Sequence, residues 1–175
     1  KKVNHQKMTI STHNPSNHYT GPSLTQIENA QKKLKPYIKH TPLWATSELD
    51  SLFKATEDTQ IRLKLELWQN TGTFKIRAAL LYMMQLTPDQ QKKGVVAVSG
   101  GNHALAVSYA AKLFDTPATV IMPKTASPMR INLCNQYGAT VILKEDIEQS
   151  FAEEQRFINK GLSRVHPFEG ETVAL

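Results

Sequence analysis

The chain has 175 residues, 40% hydrophobic and 21% charged, a composition typical of soluble globular proteins. Its formal net charge of +6 comes from scattered Lys and Arg residues that form no basic stripe interleaved with aromatic rings, so nucleic-acid binding is not predicted. No apolar run approaches the roughly 20 residues of a membrane-spanning helix, and none follows the basic first residues as in a secretory signal, so neither a membrane protein nor a secreted one is predicted.

Residues 1–22 are polar and follow neither a helical nor a strand period, so we predict a flexible N-terminal arm. The arm contains three of the six histidines, His5, His13 and His18. A metal-binding tract and an expression remnant ahead of Met8 are two interpretations of this segment. The histidines lack the regular spacing of a ligand set, which favours a disordered leader and predicts no metal site.

The chain between residues 23 and 86 predicts three helices and a strand. Ser23 can cap a helix that continues to Leu34, with apolar residues at spacings of three and four. A short helix is predicted over residues 47–53. Strict alternation of apolar and polar residues predicts a strand over residues 61–66, followed after a loop by a helix over residues 74–86.

After Gly94, one unit repeats along the chain, a short strand followed by a helix. The predicted strands are 95–98, 118–122, 139–143 and 164–166, and the intervening helices begin at residues 102, 127 and 146. Short strands that are largely apolar and alternate with helices are typical of a parallel sheet covered on both faces. The sequence therefore predicts an α/β fold with three layers.

Two turns of this predicted sheet are candidate ligand sites, because ligands bind beyond the carboxyl ends of parallel strands. We name residues 71–75 (TGTFK) the lysine turn and residues 99–103 (SGGNH) the glycine turn. Adjacent Gly100 and Gly101 leave backbone N–H groups accessible at a helix N-terminus, where a carboxylate or phosphate is favoured. The alternative is a tight turn capped by Asn102 with no ligand, and the residues alone leave both interpretations open.

The lysine turn places Lys75 at the start of a helix, beside Phe74. The positive end of the helix dipole disfavours a charged amine there, which favours the neutral amine that a Schiff-base nucleophile needs. The alternative, favoured when the lysine is considered alone, is an exposed side chain lying along the aromatic ring. His103 could act as an acid or base, although a histidine held by hydrogen bonds is favoured. The single cysteine, Cys134, is predicted to be buried, and its lack of a disulfide partner favours a cytoplasmic location.

Together the two turns resemble those of the fold-type II pyridoxal-phosphate enzymes, whose fold is like that of the tryptophan synthase β subunit. Residues 63–66 followed by 71–79 resemble the cofactor-lysine segment of this family, and residues 98–104 resemble its substrate-carboxylate loop. Segments 41–43, 122–123, 137–139 and 166–168 follow in the family's order. The resemblance covers residues 24–175 and is greatest to the threonine/serine dehydratase (threonine ammonia-lyase) and serine racemase group.

The resemblance implies a role for several residues. Lys75 would bind pyridoxal 5'-phosphate as a Schiff base and later remove the substrate α-proton, while Phe74 would pack near the pyridine ring. Asn102 would also hydrogen-bond the 3-oxygen of that ring. The carboxylate of a small amino-acid substrate would be bound by Ser99, Gly100, Gly101, Asn102 and His103. The implied reaction is elimination of the β-hydroxyl of threonine or serine, giving a 2-keto acid and ammonia.

Two departures qualify the resemblance. Racemases of this group have a serine where this chain has Gly100, so elimination is favoured over racemisation. The enzymes of this group are also much longer, so the resemblance implies the N-terminal half of the fold. Residues 23–96 would form the first part of the large cofactor domain and residues 97–175 the small α/β domain, with the rest of the large domain absent.

Other functions and partners stay open at this point. One alternative is a truncated, non-catalytic homologue that binds an amino acid or another anion, and a second is a serine racemase-like enzyme. The resemblance also implies a homo-oligomer, because dimers and tetramers are common in the group.

Overall fold

The computed structural model describes residues 21–54, 59–170, 173 and 175 of the chain. Most of the predicted N-terminal arm and residues 55–58 of the predicted loop lie outside these residues. The first helix, α1, spans Leu24–Leu34 and begins, as predicted, at Ser23, whose side chain forms a capping box with Gln26. Only the C-terminal part of its apolar face, Ala30 and Leu34, is buried.

The segment after α1 forms a small antiparallel sheet. Strand β1 (Leu43–Ala45) is followed by helix α2 (Ser47–Leu52) and strand β2 (Arg62–Lys64), and β1 pairs with β2 so that Trp44 lies opposite Leu63. The strand predicted over residues 61–66 is present but shorter, and all residues of β1 and β2 are exposed. Two 3-10 turns at Glu66–Trp68 and Asn70–Gly72 lead to the next helix.

The remaining elements form the predicted strand–helix repeat. They are α3 (Lys75–Gln85), α4 (Pro88–Lys93), β3 (Val95–Val98), α5 (Asn102–Leu113), β4 (Ala118–Pro123), α6 (Pro128–Gln136), β5 (Thr140–Lys144), α7 (Ile147–Asn159) and β6 (Ser163–Arg164). The four strands pair in parallel in the order β5-β4-β3-β6. Helix α4 was not predicted, although Thr87 and Gln90 form a capping box around Pro88. No helix in the described part of the chain is long and apolar enough to cross a bilayer.

The parallel sheet is covered on both faces, which confirms the three-layer α/β prediction. Alternate residues of β3 belong to different cores, with Val95 and Ala97 in the cluster that includes α3 and α5. Val96 and Val98 belong to a second cluster that packs against Phe157 of α7. This arrangement explains why β3 is apolar at every position, since neither face meets solvent.

Helix α5 lies between the sheet and α3, and this packing fixes the start of α3. The buried face of α3 consists of residues with no exposed surface, namely Ile76, Ala79, Leu80 and Met83. The same core extends from Ala30 to Val165. The boundary predicted after residue 96 falls inside β3, and the division into a large and a small domain stays a prediction.

Gly94, which ends α4, should tolerate no side chain. Its φ is +95°, and a Cβ would lie 2.5 Å from the carbonyl oxygen of Pro117, which accepts the Val95 N–H. Gly94→Ala should therefore lower the free energy of unfolding by roughly 2–5 kcal/mol, from left-handed strain and overpacking together. Gly138→Ala is the matched control, because Gly138 has φ +87° but open space around its Cβ position, and should lose only about 1–2 kcal/mol. Urea denaturation measures both losses, and equal losses would contradict the steric argument.

Candidate functional site

Lys75 is the first residue of α3, and its amine is fixed by the segment that follows β6. The Nζ atom donates a hydrogen bond to the carbonyl oxygen of Pro167 at 2.7 Å. It also lies 4.4 Å from the ring centroid of Phe168 and 5.4 Å from that of Phe74, both within the range of cation–π contacts. Within the described residues, this amine forms no ion pair with a carboxylate. The amine is thus held in place but not neutralised.

The lysine turn has an unusual backbone at Thr71. Thr71 has φ +66°, a left-handed conformation that is uncommon for a β-branched residue. Its hydroxyl oxygen is buried and has no hydrogen-bond partner among the described residues. Gln69, two residues before Thr71, connects the turn to the segment after α1. Its side chain accepts a hydrogen bond from the N–H of Lys39 and donates one to the carbonyl oxygen of Lys39. The turn before Lys75 is therefore ordered and retains a free hydrogen-bonding group.

A partly buried ion pair between Glu66 and Arg77 joins the two sides of the lysine turn. Glu66 accepts hydrogen bonds from Arg77 Nε at 2.9 Å and Nη2 at 2.7 Å, and a third from the Thr41 hydroxyl. Arg77 is the main cause of the lowered pKa of the Glu66 carboxyl, and the Thr41 bond contributes. Sequence reasoning missed this pair. The signal that could have indicated it is the opposite charge of Glu66, before the turn, and Arg77, after it.

The glycine turn leads into α5 without a side-chain cap. Gly101 is the N-cap residue, and the capping role considered for Asn102 is wrong because Asn102 is the first helical residue. The Ser99 hydroxyl accepts the Gly101 N–H at 3.1 Å. A Cβ at Gly101 would meet no atom within 4 Å, so open space lies beside the turn. The Asn102 side chain is exposed and makes no hydrogen bond to the described part of the chain.

His103 is buried, with 5% of its surface exposed, and its Nε2 donates to the carbonyl oxygen of Val165 at 2.9 Å. The hydrogen-bonded histidine favoured by sequence reasoning is confirmed. Burial is the main cause of the lowered pKa of His103, and the charges of Lys75 and His166 contribute, while the bond to Val165 acts in the opposite direction. A neutral imidazole is therefore favoured at this position.

Lys75 and His103 meet at one stretch of backbone, residues 165–168, which we name the carbonyl segment. Lys75 binds its Pro167 oxygen and His103 its Val165 oxygen. No hydrogen bond or ion pair among the described residues joins Lys75 to any residue of the glycine turn. The structure thus brings the two predicted turns to a common segment. Sequence reasoning did not predict that this segment contacts both turns.

Comparisons with known proteins identify relatives of this chain. A family model described as "Pyridoxal-phosphate dependent enzyme" matches residues 34–174. The phenylserine dehydratase of Ralstonia pickettii is 41% identical over 157 residues, which are 89% of this chain and 47% of that protein. A catabolic L-threonine dehydratase of Staphylococcus aureus is 37% identical over 158 residues, which are 86% of this chain and 43% of that protein. The crystal structure of serine racemase from Dictyostelium discoideum superposes with a TM-score of 0.77 at 32% identity, covering 86% of this chain and 48% of that one. The chain thus spans about half the length of the relatives it matches.

The lowered pKa of His103 predicts that folding stability falls as the pH drops below 6.5, the ordinary value for histidine. Below that pH the unfolded chain binds a proton that the folded chain binds less readily, so acidification favours unfolding, by at most about 1.4 kcal/mol per pH unit for one such group. His103→Gln should flatten this dependence between pH 6.5 and about 5, above the range in which ordinary carboxyl groups titrate. Urea denaturation at a series of pH values measures the slope, and an unchanged slope in the variant would assign the effect to other groups.

Proposed function

Since the chain belongs to the pyridoxal-phosphate dependent enzyme family, we propose that it carries the reactive lysine of a lyase acting on hydroxy amino acids. The proposed reaction eliminates the β-hydroxyl of a substrate such as threonine or serine and yields a 2-keto acid and ammonia. The observation that carries the proposal is the Lys75 amine, which is fixed between a backbone carbonyl and two aromatic rings and has no carboxylate partner in the described part of the chain. The relatives at 41% and 37% identity, named as dehydratases of phenylserine and L-threonine, support the reaction class.

The residues of the two turns fit the family's cofactor. Lys75 offers an amine for covalent attachment that has no carboxylate partner among the described residues, and Phe74 offers an exposed aromatic face beside it. The free amide of Asn102 and the open space at Gly101 are suited to a planar ring with a polar substituent. We propose that Lys75, Phe74 and Asn102 hold the cofactor, which when bound supplies the electron-withdrawing ring that stabilises negative charge at the substrate α-carbon.

We propose that the chain's own residues position the substrate and move its proton. The uncapped N-terminus of α5 and the residues from Ser99 to His103 would bind the substrate carboxylate, because unpaired N–H groups and the helix dipole favour an anion there. The Lys75 amine would accept the α-proton. The Pro167 carbonyl orients that amine, and the rings of Phe74 and Phe168 lie beside it.

Two other functions remain as alternatives within this proposal. Serine racemase structures superpose well, but Gly100 carries no hydroxyl that could exchange a proton on the second face of a substrate. A non-catalytic protein that binds an amino acid or anion would use the glycine turn alone and would need no reactive amine. The state of Lys75 therefore separates the enzyme from the binding protein.

The cellular setting is also part of the proposal. We infer a cytoplasmic enzyme that uses a small amino acid as substrate and assembles as a homo-oligomer. A buried free thiol at Cys134 is compatible with a reducing compartment. Burial raises the pKa of that thiol, which disfavours the reactive thiolate and supports a role in packing.

The proposal predicts that pyridoxal 5'-phosphate reacts preferentially with Lys75. After incubation with the cofactor and reduction with borohydride, peptide mass spectrometry should find the pyridoxyl group on Lys75 well above its level on the exposed Lys124. Lys75→Arg should abolish this labelling, because the guanidinium keeps the charge but does not form a Schiff base.

The matched control for this experiment is Lys64→Arg, which changes another lysine bound to a backbone carbonyl, that of Thr41. It should leave labelling of Lys75 intact. Labelling spread over the lysines in proportion to their exposure would contradict a cofactor site and would favour the non-catalytic alternative.

A serine at position 100 should shift the reaction towards racemisation. In preparations that release 2-keto acid, Gly100→Ser should raise the ratio of racemised serine to keto acid by roughly 100-fold, the lower end of what a positioned proton donor contributes. Gly100→Ala is the control, because it places the same Cβ 3.1 Å from Pro123 Cδ without adding a hydroxyl. Chiral chromatography measures the ratio, and equal shifts in both variants would show that crowding, not the hydroxyl, is responsible.

A further inference from the structure

The part of the carbonyl segment that binds Lys75 lies beyond the last strand and outside the core. Strand β6 ends before this segment, and of its residues only Val165 is buried. Pro167 has no N–H group to donate, and the side chain of Phe168 is 76% exposed. Strand pairing and burial therefore do not fix the Pro167 carbonyl, which accepts the hydrogen bond of Lys75.

The His166 side chain supplies the missing constraint. Its Nδ1 atom accepts the N–H of Phe168 at 3.3 Å and that of Glu169 at 2.9 Å. The Pro167 carbonyl and the Phe168 N–H belong to one planar peptide group, so holding the N–H also orients the oxygen. The imidazole thus holds one side of this peptide group, and the Lys75 amine binds the other side.

The imidazole ring also supports the aromatic contact of the amine. The rings of His166 and Phe168 lie edge to face, with centroids 6.3 Å apart and planes inclined at 74°. The same Phe168 ring lies 4.4 Å from the Nζ atom of Lys75. Two of the groups that surround the amine, a carbonyl and a ring, are therefore both held by His166.

The distances favour an accepting Nδ1 over an ion pair. The nearest carboxylate oxygen recorded for this nitrogen, Oε2 of Glu169, is 3.8 Å away, which is too long for a hydrogen bond. The Glu169 side chain is 76% exposed, whereas that of His166 is 20% exposed. A nitrogen that accepts a hydrogen bond carries no proton, so the geometry favours the neutral tautomer with its hydrogen on Nε2.

We propose that His166 is a positioning residue for Lys75. Its Nδ1 atom orients the peptide group whose oxygen binds the amine, and its ring supports Phe168. Among the described residues, no hydrogen bond or ion pair joins His166 to Lys75 directly, so it acts through that peptide group. The inference rests on the proposed function for the role of Lys75 and extends it by assigning the residue that places the amine.

Two substitutions separate the acceptor from the rest of the imidazole. The side-chain oxygen of Asn is as many bonds from Cα as Nδ1 is, whereas that of Gln corresponds to Nε2. Asn side chains commonly accept backbone N–H groups two residues further along a turn. His166→Asn should therefore retain the contact with the Phe168 and Glu169 N–H groups, and His166→Gln should lose it.

The first measurement needs no variant. At about pH 8, where imidazole side chains are generally neutral, ¹⁵N NMR of the unaltered chain should show an unprotonated Nδ1 and a protonated Nε2 in His166. A proton on Nδ1 would overturn the proposal, because that nitrogen could then accept neither N–H group.

Amide exchange measures the two hydrogen bonds themselves. Exchange at Phe168 and Glu169 should be roughly 2- to 10-fold faster in His166→Gln than in the unaltered chain, as expected for loss of one hydrogen bond of ordinary strength. His166→Asn should exchange as the unaltered chain does. The control is His40→Gln, which changes an exposed histidine and should leave both amides unaffected. Equal rates in the Asn and Gln variants of His166 would contradict the proposal.

The effect on Lys75 is measured first without the cofactor. In trace acetylation, Lys64 is the internal reference, because its amine also binds a backbone carbonyl. The ratio of acetylation at Lys75 to that at Lys64 should rise several-fold in His166→Gln, where the amine is released, and stay unchanged in His166→Asn. The same ratio in both variants would show that the acceptor at Nδ1 does not position the amine.

Labelling with pyridoxal 5'-phosphate and borohydride then links this position to the proposed function. Preference for Lys75 over Lys124 should fall several-fold in His166→Gln and be rescued in His166→Asn, with both variants keeping the circular dichroism spectrum of the unaltered chain. Equal preference in the two variants would refute the positioning role. If the unaltered chain itself shows no preference for Lys75, the proposed function fails, while acetylation and amide exchange still test His166.

Discussion

The candidate site depends on the backbone of the carbonyl segment, which gives one oxygen to Lys75 and another to His103. The segment continues from β6, and β6 is anchored twice. The Val165 N–H donates to Val96 of β3 at 2.9 Å, and Arg164 pairs with the buried Glu154 of α7 at 3.0 Å. The position of the Lys75 amine is therefore set by a strand that lies far from it in the sequence.

The charges around the candidate site fit the anion binding that we propose. Lys75 has no carboxylate partner among the described residues, the N-terminus of α5 has no side-chain cap, and burial lowers the pKa of His103, which favours its neutral form. A second cation at His103 would repel the lysine, so the desolvated imidazole avoids a cost that a charged one would add. An anionic cofactor or substrate carboxylate would complete this arrangement, which agrees with the family assignment.

The chain combines a well-packed part with a part that lacks a core, and the site lies where they meet. Helix α3 is buried against α5 through Ile76 and Leu80, so the start of α3 is held firmly. Among the described residues from β1 to the 3-10 turns, no apolar side chain is buried. The Glu66–Arg77 pair links the two parts across the lysine turn.

Local sequence determined the repeating strands and helices, the N-caps Ser23 and Asp146, and both candidate turns. The spacing of apolar residues, capping side chains and glycines all influence only residues a few positions away in the chain. The sequence could not show that β1 and β2 are exposed. Alternating apolar and polar residues predict a strand with one apolar face, but they do not show whether another element covers that face. The sequence also could not bring Pro167 to Lys75, 92 residues away, or Val165 to His103. Those contacts depend on which strand pairs with β3, and tertiary structure alone decided that, because strand order is set by packing over the whole sheet.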